Sequence, residues 1–137
     1  MKKIIFFLVI LLLLAGCEKL YEKRTYHKVV GVGYVYDSDT KEPAPNVQVF
    51  VRSGFISNGW GTTIPIVEYF SADINGYFSV KFLKRTQGNK VTEYKITAGN
   101  DNYITSSIVS FSVESLQGLK GAIKVDTVWL EPRLYNK

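Results

Sequence analysis

The chain has 137 residues, a formal net charge of +5, one cysteine and one histidine. That length suits a single domain with a core of its own, and a lone cysteine excludes an internal disulfide. Lys2 and Lys3 supply two of the positive charges, and the +3 that stays without them is too small to argue for nucleic acid.

An unbroken apolar run, Ile4 to Leu14, follows the two lysines and ends in the small pair Ala15-Gly16, the layout of a secretory signal. A membrane-spanning helix needs about 20 apolar residues. This run is shorter and gives way to Glu18, Lys19, Glu22, Lys23 and Arg24. Leu14-Ala15-Gly16-Cys17 resembles the lipobox of bacterial lipoproteins, where small residues admit a peptidase and the cysteine sulfur receives a diacylglyceryl group. The resemblance implies cleavage of residues 1–16, a mature chain of 121 residues, and lipid on Cys17 as the link to a membrane. Two or more acyl chains hold durably, at about 0.8 kcal/mol per buried methylene. Glu18 stands where an aspartate would resemble an inner-membrane retention signal, so the expected address is the outer membrane, with the periplasmic or surface face left open. Glu18 to Lys28 is charged and aperiodic, and residues 17–28 are expected to form a lipidated tether reaching at most about 40 Å.

From Val29 onward, apolar and polar residues alternate in short runs separated by Gly, Pro, Asn and Asp, the pattern of an all-β sandwich. Val29 to Tyr36 opens the series. Asn46 to Arg52 places Val47, Val49 and Val51 on one face, with Gln48 and Phe50 on the other. Ile66 to Ala72 and Tyr77 to Leu83 flank Asp73-Ile74-Asn75-Gly76, which reads as a hairpin turn with glycine at the positive-φ position; Phe78, Val80 and Phe82 point inward from its second strand. Thr92 to Ala98 turns Tyr94, Ile96 and Ala98 inward before a turn at Gly99-Asn100-Asp101-Asn102. Ser107 to Val113 and Ile123 to Leu130 close the set, giving a single seven-stranded Greek-key β-sandwich over residues 29–132 and a tail at 133–137.

The segments Val32-Gly33-Tyr34-Val35-Tyr36-Asp37-Ser38-Asp39-Thr40, Glu42-Pro43-Ala44-Pro45-Asn46-Val47-Gln48-Val49 and Ala72-Asp73-Ile74-Asn75-Gly76-Tyr77-Phe78 resemble the carboxypeptidase regulatory-like domain, a prealbumin-like sandwich. The likeness runs from about Val29 to Glu131, and departs at Ala72 and in the long stretch between the second and third strands. It implies a binding or spacer module without catalytic residues.

Few residues offer chemistry. His27 lies in the expected tether, where nothing rigid would set it against an acid, a base or a metal, so Ser/His/Asp and Cys/His sites and a zinc centre are not expected. A hydroxyisourate hydrolase shares the prealbumin-like fold, but it relies on several histidines and a C-terminal Tyr-Arg-Gly-Ser, whereas this chain ends Leu134-Tyr135-Asn136-Lys137. Asp37-x-Asp39 offers either half of a calcium site or an Asx turn, and the turn is the commoner use of such a pair. Lys81, Lys84, Arg85, Lys90 and Lys95 surround one hairpin and suit either anionic headgroups or a solvated edge. The Gly-rich segment Ser53 to Thr63 carries Phe55 and Trp60, which either tuck onto the sandwich or stack on a sugar beside Asn58, Thr62 and Thr63. The expectation is therefore a membrane-anchored, non-catalytic module without cofactor or metal, engaging a protein partner, with a glycan held by the loop aromatics as the alternative.

Overall fold

A computed structural model of the chain describes Ile5 and residues 24–56, 66–86 and 89–134, except for the side chains of Phe55, Ile56, Arg85, Thr86, Asn89 and Lys90. The elements in order are β1 (Thr25–Asp37), β2 (Gln48–Ile56), β3 (Ile66–Ser71), β4 (Tyr77–Thr86), β5 (Asn89–Gly99), β6 (Tyr103–Thr105), β7 (Val109–Ser112), the one-turn helix α1 (Val113–Leu116), β8 (Gly121–Lys124) and β9 (Val128–Pro132). The hydrogen-bonded order is β3-β2-β5-β4-β1-β9-β6, with β7 on β5 and β8 on β1. Strands β4 and β5 pair only at their hairpin tip, Arg85 with Lys90 and Thr86 with Asn89. The ladder therefore folds there into two packed layers, β3-β2-β5-β7 and β4-β1-(β8, β9)-β6, and the protein is an all-β sandwich.

Strict alternation fills the space between the layers. Val49 and Val51 of β2 and Tyr94, Ile96 and Ala98 of β5 face Val29 and Val35 of β1 and Phe78, Val80 and Phe82 of β4, all of them buried. Phe82 spans the gap, meeting Tyr94 edge-on at 5.1 Å and Phe111 at 5.8 Å between ring centroids. Val109 and Phe111 are half-buried against this core. The rings of β4 need room, and β1 supplies it. A Cβ added at Gly33 would lie 2.8 Å from Phe78 Cζ, and one at Gly31 would lie 2.9 Å from Phe82 Cζ.

The structure corrects four expectations. Strand β1 begins at Thr25, so the segment expected as tether is already sheet from there, and His27 belongs to the sandwich. Alternation was hidden because the first residues of this strand, Thr25 to Lys28, offer no apolar period, with irregular register between Tyr26 and Val30. The Asp73–Gly76 reversal is not a hairpin within one sheet. It carries the chain from one layer to the other, since β3 pairs with β2 and β4 with β1. Ile123 to Leu130 is two strands rather than one: Val125 turns into the core while its N–H donates to Val32 O at 2.7 Å. That step moves the chain from Val29–Val32 to Val35–Asp37 along the same edge of β1, parallel to it in both stretches. Strand β6, at three residues, is too short to show a period; with the split it makes nine strands among the described residues where seven were expected.

Candidate functional site

The two ends of the sandwich differ in how they are built. At the end away from the tether, three side-chain carbonyl or carboxylate oxygens tie their own loops. Asp37 Oδ1 accepts from Asp39 N at 2.7 Å and Thr40 N at 3.1 Å. Asp73 Oδ1 accepts from Asn75 N and Tyr77 N, both at 2.9 Å, and Asn100 Oδ1 from Asn102 N at 2.8 Å and Tyr103 N at 3.0 Å. Those backbone bonds, led by Thr40, hold the Asp37 carboxyl below its ordinary pKa. Of the two readings of Asp37-x-Asp39, this geometry is the Asx turn, and among the described residues no group of three His, Cys, Asp or Glu gathers to hold a metal.

On the outer face of the second layer, above those loops, a run of aromatic rings crosses three strands. Trp129 of β9 lies 6.0 Å from Tyr36 of β1, Tyr36 stacks on Tyr34 at 5.9 Å and 19°, and Tyr34 meets Tyr77 of β4 edge-on at 5.6 Å. Tyr34 and Tyr36 are two apart and so share a face, while the pairings Tyr36–Trp129 and Tyr34–Tyr77 bring the outer rings alongside. Tyr34 is 43% and Tyr77 38% exposed. The Lys41 ammonium sits 4.8 Å from the Trp129 ring centroid, a cation–π contact, and also donates to Ser38 O. Among the described residues the hydroxyls of Tyr34, Tyr36 and Tyr77 have no hydrogen-bond partner. The strip thus presents flat apolar area and three phenol hydroxyls together, the two requirements of an adaptable binding surface. The sequence signal was the Tyr34-x-Tyr36 alternation on the outward face of a strand.

At the tether end, a small polar cluster is set among the buried apolar side chains Val29, Leu83, Val91 and Leu116. Glu68 of β3 is 8% exposed, and its Oε1 accepts from Tyr26 OH at 2.7 Å and Arg24 Nη1 at 3.3 Å. The bond to Glu68, with burial second, raises the Tyr26 pKa. Tyr94, raised by burial and then by Glu68, donates its hydroxyl to Leu83 O, and His27 stands edge-on to it at 6.0 Å. Burial first, then Lys84, lowers the His27 pKa. Neither a carboxylate nor a nucleophile hydrogen-bonds His27 among the described residues, so this cluster binds the sheets together without the geometry of a catalytic pair.

The sequence-predicted loop site falls largely beyond what is described. Asn58, Trp60, Thr62 and Thr63 lie outside the described residues, as does Cys17. Phe55 is placed only by its backbone, opposite Val91 in β5.

Residues 1–17 match the prokaryotic membrane lipoprotein lipid attachment site. The chain is accordingly a membrane-anchored envelope lipoprotein, with Cys17 as the last residue of the matched segment. No curated relative matches the chain.

Proposed function

We propose that this lipoprotein is a non-catalytic binding module of the outer membrane, a carboxypeptidase regulatory-like sandwich that engages a protein partner through the aromatic strip Trp129–Tyr36–Tyr34–Tyr77. The observation that carries the reading is the strip itself. Tyr and Trp are the residues that dominate protein interfaces, because they bring large contact area at small entropic cost. Here four such rings adjoin on a sheet face, and among the described residues no element packs over the exposed Tyr34 and Tyr77. Glu18 after the lipidated cysteine supports the outer membrane, and the strand and turn pattern supports the family resemblance.

A glycan is the second reading, favoured by the stacked Tyr34–Tyr36 pair beside an indole, since the C–H face of a sugar ring packs on aromatic faces while phenol hydroxyls serve its polar rim. One experiment separates the two. The lipidated protein and its Tyr34→Ala/Trp129→Ala variant are affinity-purified from the native envelope beside a glycan array. A protein retained by the wild type and lost from the folded variant supports the first reading. Strip-dependent glycan binding with no co-purifying protein replaces it with the second, and retention by both proteins removes the strip from either.

A further inference from the structure

We propose that the end of the sandwich from which the tether emerges docks on the anionic phospholipid headgroups of the bilayer that holds Cys17, so that the domain stands end-on with its acidic end outward. The strand register sorts charge along the long axis. Lys28 of β1 and Lys120 each immediately precede the paired residues Val29 and Gly121, and Lys84 follows Leu83, which pairs with Tyr26. All three lysines are exposed. Arg85 and Lys90 occupy facing positions at the tip of the β4–β5 hairpin, at this same end. Among the described residues the carboxylates nearby are mostly engaged, Glu68 by Arg24 and Tyr26, and Glu93 by Lys95 at 3.6 Å, with Glu114 on α1 as the other one at this end. At the opposite end, among the described residues, Asp39, Glu42, Asp73 and Glu131 are exposed against the cations Lys41 and Arg133, and Lys41 is drawn onto the Trp129 ring. The axis of the sandwich is therefore positive towards the tether and negative away from it.

The tether makes this asymmetry consequential. With β1 starting at Thr25, seven residues separate Cys17 from the first strand. Fully extended they reach about 25 Å, roughly three Debye lengths at physiological salt. That reach includes positions of the domain both within the surface field and beyond it, at an effective concentration set by the anchor and not by bulk solution. Lysines within a Debye length of an anionic surface are attracted, and acidic groups are repelled, so both ends favour the same orientation. The aromatic strip, at the level of Tyr34–Asp37 along β1, is then held clear of the bilayer.

The test uses the mature lipidated protein in vesicles carrying a headgroup-linked quencher, with a fluorophore at Gln117→Cys, beside the tether end, or at Asn75→Cys, in the distal turn. In phosphatidylcholine vesicles containing phosphatidylglycerol, Gln117→Cys is expected to be quenched at least about twofold more than Asn75→Cys, a contrast that disappears in about 1 M salt and in vesicles of phosphatidylcholine alone. Lys28→Glu/Lys84→Glu/Lys120→Glu should abolish the contrast without altering the circular dichroism. Equal quenching of the two labels on anionic vesicles, or a contrast indifferent to lipid charge and salt, overturns the proposal. Those wild-type arms decide it even if the triple variant fails to fold. The binding reading of the strip survives either result, since strip-dependent capture is measured separately.

Discussion

Gly33 shows how a single missing side chain shapes this core. Its absent Cβ leaves the space into which Phe78 leans, so Gly33→Ala forces a ring and a strand apart in a region with no slack. Overpacking of this kind costs about 1–3 kcal/mol. Urea denaturation of residues 17–137 carrying Cys17→Ser is expected to show that loss. It should shrink when Phe78→Leu is combined with Gly33→Ala, because the smaller side chain vacates the contested volume. His27 sets a pH dependence at the same scale. Its folded pKa lies below the ordinary 6.5 because burial and Lys84 both disfavour the cation. Between the two values the unfolded chain binds more protons than the folded one, so stability falls as pH drops through 6.5 towards the folded pKa, and is regained above 6.5. His27→Phe keeps a ring against Tyr94 and should flatten this part of the stability profile, leaving the carboxylate-driven loss at lower pH. An unchanged slope near pH 6 would assign it to another group.

Among the elements, the Asp73–Gly76 turn carries the crossing between layers. Asp73 Oδ1 satisfies two backbone N–H groups, and Asp73→Ala should cost about 1–2 kcal/mol. Gly76 is less replaceable. Its φ is +73°, and a Cβ there would lie 2.4 Å from Val35 O, the acceptor of Ala44 N. Gly76→Ala should therefore cost roughly 2 kcal/mol or more, exceeding Asp73→Ala in the same denaturation series. This turn also marks what was legible in the sequence. Its chemistry was readable, since Asp-x-Asn-Gly demands a tight reversal, and so were the inward faces of β2, β4 and β5, each set by a period of two. The partner strands were not readable. A turn residue reports its own φ and its own hydrogen bonds, and says nothing of which layer the next strand joins. Likewise the division of β8 from β9 rests on Val125 reaching the core and on an N–H to Val32, a contact between residues far apart in sequence. The aromatic strip was half legible: Tyr34 and Tyr36 announce a shared face, whereas Tyr77 and Trp129 join them only through pairing with β1.

For the whole molecule, two forces of different kind act towards the membrane, and they are separable. The lipid attachment site at residues 1–17 supplies a hydrophobic anchor, which salt does not weaken, whereas the lysines of the tether end act through a field that salt screens. The anchor decides whether the chain is at the membrane at all, and the charges decide only how the sandwich stands there. This hierarchy yields a fractionation prediction. The native protein should sediment with membranes through a wash of about 1 M salt, because screening shortens the Debye length to about 3 Å without touching acyl-chain burial. Detergent should release it, and mass spectrometry should find the mature chain beginning at an acylated Cys17. Cys17→Ser should remove the sulfur that takes the lipid, leaving a chain absent from the salt-washed membrane fraction. Residual association of that variant with anionic vesicles should fall steeply with ionic strength. A native protein stripped from membranes by salt alone would place the charges, and not the lipid, in control.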